Sequence, residues 1–280
     1  GIAEIVWSSA PARVAWVRLL DGQVLALLHD PPQNLLGWAR MDLAGGACVS
    51  LAVTPSADGT RDVLTMLIER EEPVDGARQL NLEQLAPIFG LDHVAEPASA
   101  WHLQAGAAFI TAPGTLQTVA VPHLADRQVH VWGEGGRAGP FDVPSNGQLD
   151  LSPLGVSQAI VGLAPLAEIE TLDIPAATRA GDARGRLKRL QASTGLCLHR
   201  CGDIAVDAVE RDPGRPSRVT PGARLPDRTL ALAPDSLLTG VFQIDAQTGH
   251  ARELSLRVIA RGGAPATITG LVPLVDEAGP

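Results

Sequence analysis

Residues 13–28 read RVAWVRLLDGQVLALL, and this stretch decides the fold class. Two apolar runs, Arg13–Leu20 and Gln23–Leu28, flank the dipeptide Asp21-Gly22. Val, Trp and Leu fit a pleated, half-buried strand, and Asp-Gly readily adopts the positive φ angles of a two-residue hairpin turn. The stretch therefore predicts an antiparallel β-hairpin.

Three more apolar runs extend this hairpin towards the C-terminus. They are Leu35–Met41, Cys48–Thr54 and Val63–Ile68, and glycine-containing turns separate them. Short strands at near-regular spacing with turn residues between them predict an antiparallel meander of five strands. We assign this meander to a first domain at residues 1–72. Its sequence fits a propeller-like blade or one half of a sandwich, and both architectures stay open.

The pattern changes after the charged run that ends at Glu72. Asn81 is suited to cap a short helix over Leu82–Leu85, with Gln84 at the capping-box position, and Pro87 follows closely. We therefore predict that residues 73–100 form a connection with one helical turn.

Strand patterns return after Trp101 and continue to the C-terminus. Leu187–Leu198 fits a helix as well as a strand, whereas Glu253–Val258 alternates cleanly and is expected to pair with Leu237–Ile244. We predict that residues 101–280 form a β-rich platform, sandwich-like and with long loops, so that the whole chain is all-β. The other predicted strands are Phe109–Thr111, Leu116–Val121, Val129–Trp132, Gln148–Leu151, Ala159–Leu163, Glu168–Ile174 and Thr267–Leu271.

Composition narrows the classes of function. The 280 residues carry a formal net charge of −9, which argues against a protein that coats nucleic acid through a broad basic face. No apolar run approaches the ~20 residues that cross a bilayer, so we predict no membrane-spanning segment. Three cysteines do not make a disulfide framework, and we expect assembly inside a cell. The start at Gly1, without methionine, is typical of a fragment or a processed chain.

Two segments resemble ligand-binding motifs. Cys197, His199 and Cys201 would share one face of an alternating strand, but zinc needs a second ligand pair and the sequence offers none. We therefore interpret both cysteines as small buried hydrophobes. Gly133–Gly136 lacks the following helix that a dinucleotide site requires, which predicts a hairpin turn.

The sequence patterns that could indicate a catalytic site are also weak. Glu168 with Glu170, and Glu69 with Glu71, have a spacing that puts two carboxylates on one strand face, but solvated strand faces explain them better. Ser157 sits in Gly-Val-Ser-Gln-Ala, which lacks the second glycine of a nucleophile elbow. We predict no catalytic, cofactor-binding or metal residue, and no enzyme activity.

One basic segment stands apart. Arg211–Arg228 carries five arginines against two aspartates, and its four prolines and two glycines predict an irregular loop. Such a loop is suited to bind an acidic surface of a neighbouring subunit or a phosphate backbone, or it is a solvated surface loop. These alternatives stay open.

Several short motifs occur in a characteristic order. The first four are Val14–Arg18 with Asp21-Gly22, Gly37–Arg40, Cys48–Val53 and Leu67–Arg70. Four more follow: His123–Val131, Ala159–Leu163, Ile169–Ile174 and Arg184–Leu190. In this order they resemble the tail nozzle proteins of short-tailed bacteriophages, also called tail tubular protein B, over about two thirds of the chain. Pro175 is displaced from the family pattern, and residues 210–230 match no part of it.

The resemblance implies a structural virion protein of the phage tail, assembled in the host cytoplasm. It implies a homohexameric ring around the DNA-exit channel, in contact with the tail adaptor, portal-proximal proteins and tail fibres. DNA would pass through the lumen during ejection without sequence-specific binding, and an acidic wall would repel it. The alternatives are a tail-associated glycan-binding or glycan-degrading β-protein and a host-surface binding module.

Overall fold

The computed structural model of the chain describes residues 1–71, 76–87, 89, 96–178, 181–183, 187–190, 194–225, 237–244, 248–260 and 262–277. These residues form 24 β-strands and four 3-10 helices of three residues each. The all-β prediction is confirmed. Within these ranges, no helix has the length and apolar character needed to cross a membrane.

The chain divides into two compact units. The first contains Gly1–Glu134 and Ala138–Pro165, and the second contains Gly135–Arg137 and Leu166–Pro280. The ranges 1–72, 73–100 and 101–280 stay predictions, and the two units are described below one at a time.

The first unit is built from three sheets and a two-stranded ladder, and one edge strand of the third sheet, Gly136–Asp142, starts with two residues of the second unit. The sheet orders are β1-β2-β3-β4, β5-β6-β7 and β11-β10-β13-β8, and β9 pairs with β12. The strands are β1 (Ile2–Ser8), β2 (Val14–Leu19), β3 (Val24–Asp30), β4 (Leu35–Met41), β5 (Ala47–Pro55), β6 (Asp62–Glu71), β7 (Arg78–Gln84), β8 (Gln104–Ile110), β9 (Thr118–Ala120), β10 (Gln128–Gly133), β11 (Gly136–Asp142), β12 (Gln148–Asp150) and β13 (Gln158–Leu163).

The hairpin predicted from residues 13–28 is confirmed, with a loop one residue longer than expected. The Leu19 N–H donates to the Gln23 carbonyl (2.9 Å), and the Gly22 N–H donates to the Leu19 carbonyl (3.1 Å). Gly22 has φ +82°, the left-handed conformation of a three-residue hairpin loop. A Cβ on Gly22 would also lie 2.7 Å from Ala47 Cβ, so this position requires glycine for two reasons.

The five predicted strands exist, but they do not form one meander. β1–β4 make one sheet, whereas β5 and β6 pair with β7 in another. A shared core of seven buried residues joins the two sheets: Val24, Leu43, Cys48, Leu51, Leu64, Met66 and Ile68. Splitting the strands into two facing sheets buries apolar surface that a single sheet would leave in water.

The predicted helix over Leu82–Leu85 is wrong. Residues 78–84 form β7, which pairs with β6 in the register Leu67–Leu82 and Glu69–Leu80. The seven-residue ladder satisfies more backbone groups than one helical turn would, so the capping pattern at Asn81 does not decide the conformation.

The second unit contains eleven described strands. Its sheet orders are β14-β22-β19-β20 and β21-β18-β23, with two-stranded pairs β15-β16 and β17-β24. The strands are β14 (Ala167–Glu170), β15 (Ala176–Thr178), β16 (Gly181–Ala183), β17 (Lys188–Leu190), β18 (Thr194–Cys201), β19 (Ile204–Arg211), β20 (Arg218–Arg224), β21 (Leu238–Ile244), β22 (Glu253–Ala260), β23 (Ile268–Val272) and β24 (Val275–Glu277).

In the second unit, the alternation of apolar residues correctly predicts which side chains share a strand face, but it does not predict which strands pair. Leu254, Leu256 and Val258 of β22 all belong to one core cluster, as expected from their spacing. The predicted pairing of this strand with residues 237–244 is wrong: β22 pairs with β14 and β19, and β21 pairs with β18. Over its described residues, 187–198 forms strand and not helix.

Candidate functional site: an apolar sheet face

The sheet β1–β4 turns one face to the core and the other to solvent. Trp16 packs against the core cluster, so the neighbouring residues along β2 point to the opposite side. In the antiparallel register, Trp7, Ala15, Leu27 and Trp38 stand side by side across the four strands of this outer side. Three strand spacings of ~4.8 Å separate the two tryptophans by about 14 Å. We define the apolar face as Ile5, Trp7, Ala15, Val17, Leu25, Leu27, Leu36 and Trp38. Ala15 and Val17 are buried, Leu25 and Leu27 are half-buried, and the other four are exposed.

Large side chains of the apolar face are open to solvent. Relative exposure is 66% for Leu36, 60% for Trp38, 59% for Ile5 and 46% for Trp7. Scattered surface hydrophobes are normal, but a contiguous apolar patch on a sheet is typical of an interaction surface. Tryptophan is also the residue type most enriched among energetic hot spots of protein interfaces.

The polar residues around the apolar face are basic. Arg40 lies beside Leu25 in the register, His29 lies beside Leu36, and the His29 N–H donates to the Arg13 carbonyl (3.0 Å). All three side chains are exposed, and the outward positions of β1–β4 carry no carboxylate. Because the whole chain has a net charge of −9, this basic rim complements the average surface of a second copy.

A second, smaller apolar patch lies on the sheet β21-β18-β23 of the second unit. Val241 is 70% exposed and Val272 is 54% exposed. The register places Val241 opposite Cys197 and Val272 opposite Gly195, and a Cβ on Gly195 would lie 3.5–3.6 Å from the two valines. The glycine leaves a shallow apolar depression between the valines.

The predicted carboxylate pair Glu168 and Glu170 lies in an ion-pair network on β14. Arg257 of β22 reaches both glutamates, with its Nε 3.2 Å from Glu168 Oε1 and its Nη2 3.4 Å from Glu170 Oε2. The Ser255 hydroxyl donates to Glu170 (2.7 Å), and the Arg211 guanidinium of β19 also binds Glu170. We call Glu168, Glu170, Arg211, Ser255 and Arg257 the polar network.

The polar network keeps Glu170 ionised. Partial burial disfavours the charged carboxylate, but the hydrogen bond from Ser255 and the guanidiniums of Arg211 and Arg257 together lower the pKa of Glu170 below its ordinary value. A carboxylate held this way stabilises neighbouring strands and is poorly suited to accept or deliver a proton near neutral pH.

Cys197 and Cys201 do not share a strand face. Arg200 has φ +51°, and the register of β18 shifts between Leu198 and Cys201. This bulge turns Cys201 into the core cluster, to which Cys197 does not belong. The Cys201 thiol donates to the Thr267 carbonyl (3.1 Å), and burial raises its pKa. The described residues contain no group of three or more potential metal ligands.

The glycine-rich segment and the serine motif meet at one turn. Glu134 and Gly135 form the hairpin turn between β10 and β11, as predicted. The Ser157 hydroxyl donates to the Glu134 carboxylate (2.7 Å), as does the Ser157 N–H (2.8 Å). These hydrogen bonds lower the pKa of Glu134. Ser157 therefore fixes a turn.

Glu69, of the second carboxylate pair, binds Arg78 of β7, with Oε1 and Nη1 3.1 Å apart. The irregular loop predicted over Arg211–Arg228 is wrong for eight of its residues, whereas residues 212–217 are irregular as predicted. Arg211 ends β19, and β20 covers Arg218–Arg224. β20 lies at the edge of its sheet, where a proline such as Pro221, which has no N–H to donate, is tolerated. Residues 226–228 lie outside the described part of the chain.

Sequence reasoning placed Trp38 in a strand but did not identify the apolar face. The signal was present in the spacing, since Trp7, Trp38 and Leu36 are large apolar residues at outward positions of edge strands. Which face looks outward depends on the sheet that packs on the other side. Comparison with known proteins gives no further guide, because the chain matches no protein-family model and no curated protein.

Proposed function

We propose that this protein is a structural, self-associating subunit of a phage-type tail nozzle, without enzyme activity. In this proposal identical copies form a closed ring, a homohexamer by resemblance, around a channel that DNA passes through. The apolar face of β1–β4 is the observation that carries the proposal.

A second copy of the chain is the occupant that the apolar face favours. The centre of the face is aliphatic and aromatic, which suits a protein partner better than a phosphate backbone. The rim formed by Arg13, His29 and Arg40 is basic, and a second copy is acidic overall. Opposite charges at the rim would set the orientation and speed of association.

A ring needs two different surfaces on each subunit. Head-to-tail contacts pair one patch with a distinct patch on the next copy, and they close when the rotation per subunit divides a full turn. The apolar face and the depression between Val241 and Val272 are two such patches. We propose that one docks on the other around the ring.

The test is the mass of the purified chain in solution, by native mass spectrometry and by light scattering over a range of protein concentrations. We expect a single discrete oligomer with a mass close to six chains. A chain that stays monomeric at the highest concentration would contradict the proposal. An open-ended series of masses would contradict ring closure.

The location of the protein within the phage particle needs a separate test. Antibody labelling of intact particles should mark the tail and not the capsid or the fibres. Hydrolysis of a host glycan by the isolated chain would contradict the absence of enzyme activity.

A further inference from the structure

The first unit contains a cavity of about 790 Å³ beside strand β7. This volume lies in the range of small-molecule binding sites. Apolar side chains make up much of the wall, and polar side chains from β7 and from the segment before β8 complete it. The wall residues used below are Asn81, Leu82, Glu83, Trp101, His102 and Gln104.

Three polar atoms of the wall are buried and have no hydrogen-bond partner. They are Asn81 Nδ2, His102 Nε2 and Gln104 Oε1. An unsatisfied buried polar group is destabilising, so folded proteins rarely keep several around one space. These atoms are fully buried behind the wall, so they meet a ligand only if their side chains rotate towards the cavity; a ligand that offers both donors and acceptors would then satisfy them, because Asn81 Nδ2 donates and Gln104 Oε1 accepts.

The charged wall residue Glu83 is already neutralised. Both of its carboxylate oxygens bind the Arg70 guanidinium, and Glu83 Oε2 also accepts the Ala105 N–H (3.3 Å). His102 is wedged between Phe89 and Trp132, with ring centroids 5.3 and 4.9 Å away. Burial lowers the pKa of His102 to about 4, so the ring is neutral near pH 7. Apart from Arg61, the polar groups of the wall are therefore neutral or already paired.

Trp101 adds a flat apolar surface to the same wall. A Cβ on Gly106 would lie 3.1 Å from Trp101 Cζ3, so the glycine lets the indole approach the backbone closely. The Trp101 side chain remains 39% exposed. Beside it, Ala105 has φ +48°, and the register between β8 and β13 shifts at Leu163–Gln104. Bulges of this kind re-aim side chains next to binding sites.

We infer that this cavity binds one ring of a saccharide, neutral or acidic. A pyranose has an apolar ring face that packs on an indole, and hydroxyl groups that donate and accept at its edge. Trp101 supplies the platform, and Asn81, His102 and Gln104 supply partners for the hydroxyls. Arg61 also lines the cavity and suits a sugar carboxylate. This inference does not depend on self-association through the apolar face.

The experiment is saturation-transfer NMR on the full chain with D-glucose, D-galactose, N-acetyl-D-glucosamine and D-glucuronate as separate probes. Glycerol and N-acetylglycinamide serve as small hydrogen-bonding controls. We expect transfer to the ring protons of at least one sugar, at least fivefold above the transfer to glycerol.

Two variants localise the binding. Trp101→Ala removes the platform, and His102→Phe keeps the ring between Phe89 and Trp132 while removing Nε2. Each should reduce the transfer at least fivefold. Gln148→Met, on exposed β12 outside the cavity, is the matched control and should leave it unchanged. Circular dichroism and thermal unfolding verify that each variant folds.

Three results would overturn the inference. They are equal transfer to glycerol and sugars, transfer to N-acetylglycinamide without transfer to any sugar, and sugar transfer that persists in both cavity variants. A monomeric chain that passes the NMR test would contradict the proposed ring and leave the saccharide site intact.

Discussion

Two outward-facing sheet surfaces of this protein differ in the side chains that they present to solvent. The polar network on β14, β22 and β19 places two glutamates against two arginines, and these side chains satisfy one another. The apolar face on β1–β4 instead exposes Ile5, Trp7, Leu36 and Trp38 at its outward positions. The first surface is complete within one chain, whereas the second gains most by association.

The contrast shows how a sheet face signals its role. Salt-bridged strand faces contribute little to binding because their charges are already paired, and removing them from water costs free energy. An apolar face gains roughly 25 cal/mol for each Å² that a partner covers. Inward and outward residues alternate along the strands of both sheets, so the two faces differ only in the types of residue that point outward.

The largest expected effect is on the apolar face. We predict that Trp7→Glu with Trp38→Glu converts the oligomer to monomer, because a partner that covers the exposed half of each tryptophan gains on the order of 3 kcal/mol per side chain. Light scattering and native mass spectrometry measure the change, and circular dichroism should show a folded chain.

The matched control is Ile110→Glu with Leu172→Glu, two exposed apolar residues outside both surfaces. This variant adds the same charge and should keep the oligomer. If the two double variants have the same mass, the apolar face is not the contact.

A smaller effect is expected in the polar network. Glu170→Gln leaves Arg211 and Arg257 close together with less negative charge between them. We predict a loss of about 1.5 kcal/mol in the free energy of unfolding, with no change of oligomeric mass. Denaturant titration provides the measurement.

Glu96→Gln is the control for this change, since Glu96 is exposed and lies outside the polar network. It should alter stability by a few tenths of a kcal/mol at most. A dissociated oligomer in the Glu170→Gln variant would show that the network belongs to the contact after all.

Acid should remove the stability that Glu170 supplies. Its pKa is lower in the folded chain than the ordinary 4.5, so the unfolded chain binds the proton more readily. This contribution is fully present above pH 4.5 and is lost as the pH falls through the folded-state pKa. The stability difference between the natural chain and Glu170→Gln should therefore shrink below pH 4.5. A difference that stays constant on acidification would mean that charge is not its cause.

The smallest effect is that of salt, which should weaken the polar network and leave the apolar contact unchanged. Raising NaCl from ~0.1 to ~1 M shortens the screening length from about 10 to about 3 Å. The polar network should lose a few tenths of a kcal/mol, measured as a reduced difference between natural chain and Glu170→Gln. Apolar association should keep its mass. Dissociation in salt would assign the contact to the basic rim rather than to the tryptophans.

Local sequence was a good guide where one residue type decides the backbone. Asp21-Gly22 predicted the β2–β3 hairpin, because glycine alone takes φ +82° easily. Leu254, Leu256 and Val258 predicted a buried strand face, because strand side chains alternate strictly. The saccharide-type cavity was not predicted, since its walls come from segments around residues 41–66, 81–89 and 101–106.

Local sequence was a poor guide where distant segments compete. The Asn81 capping pattern favoured a helix, but pairing with β6 made residues 78–84 a strand. The spacing of Cys197 and Cys201 implied a shared face, but the left-handed Arg200 and the register shift separated them. In both cases a neighbouring strand supplied the hydrogen bonds that selected the outcome.

The sequence by itself determined that the chain would be all-β, where most strands lie and which residues alternate. Those features follow from side-chain shape and backbone preference within a few neighbouring residues. Only the tertiary structure decided which strands pair, which face of each sheet is covered and which polar atoms remain unsatisfied. These depend on contacts between residues far apart in the chain, and the free energy of burial that selects them has no counterpart in a local pattern.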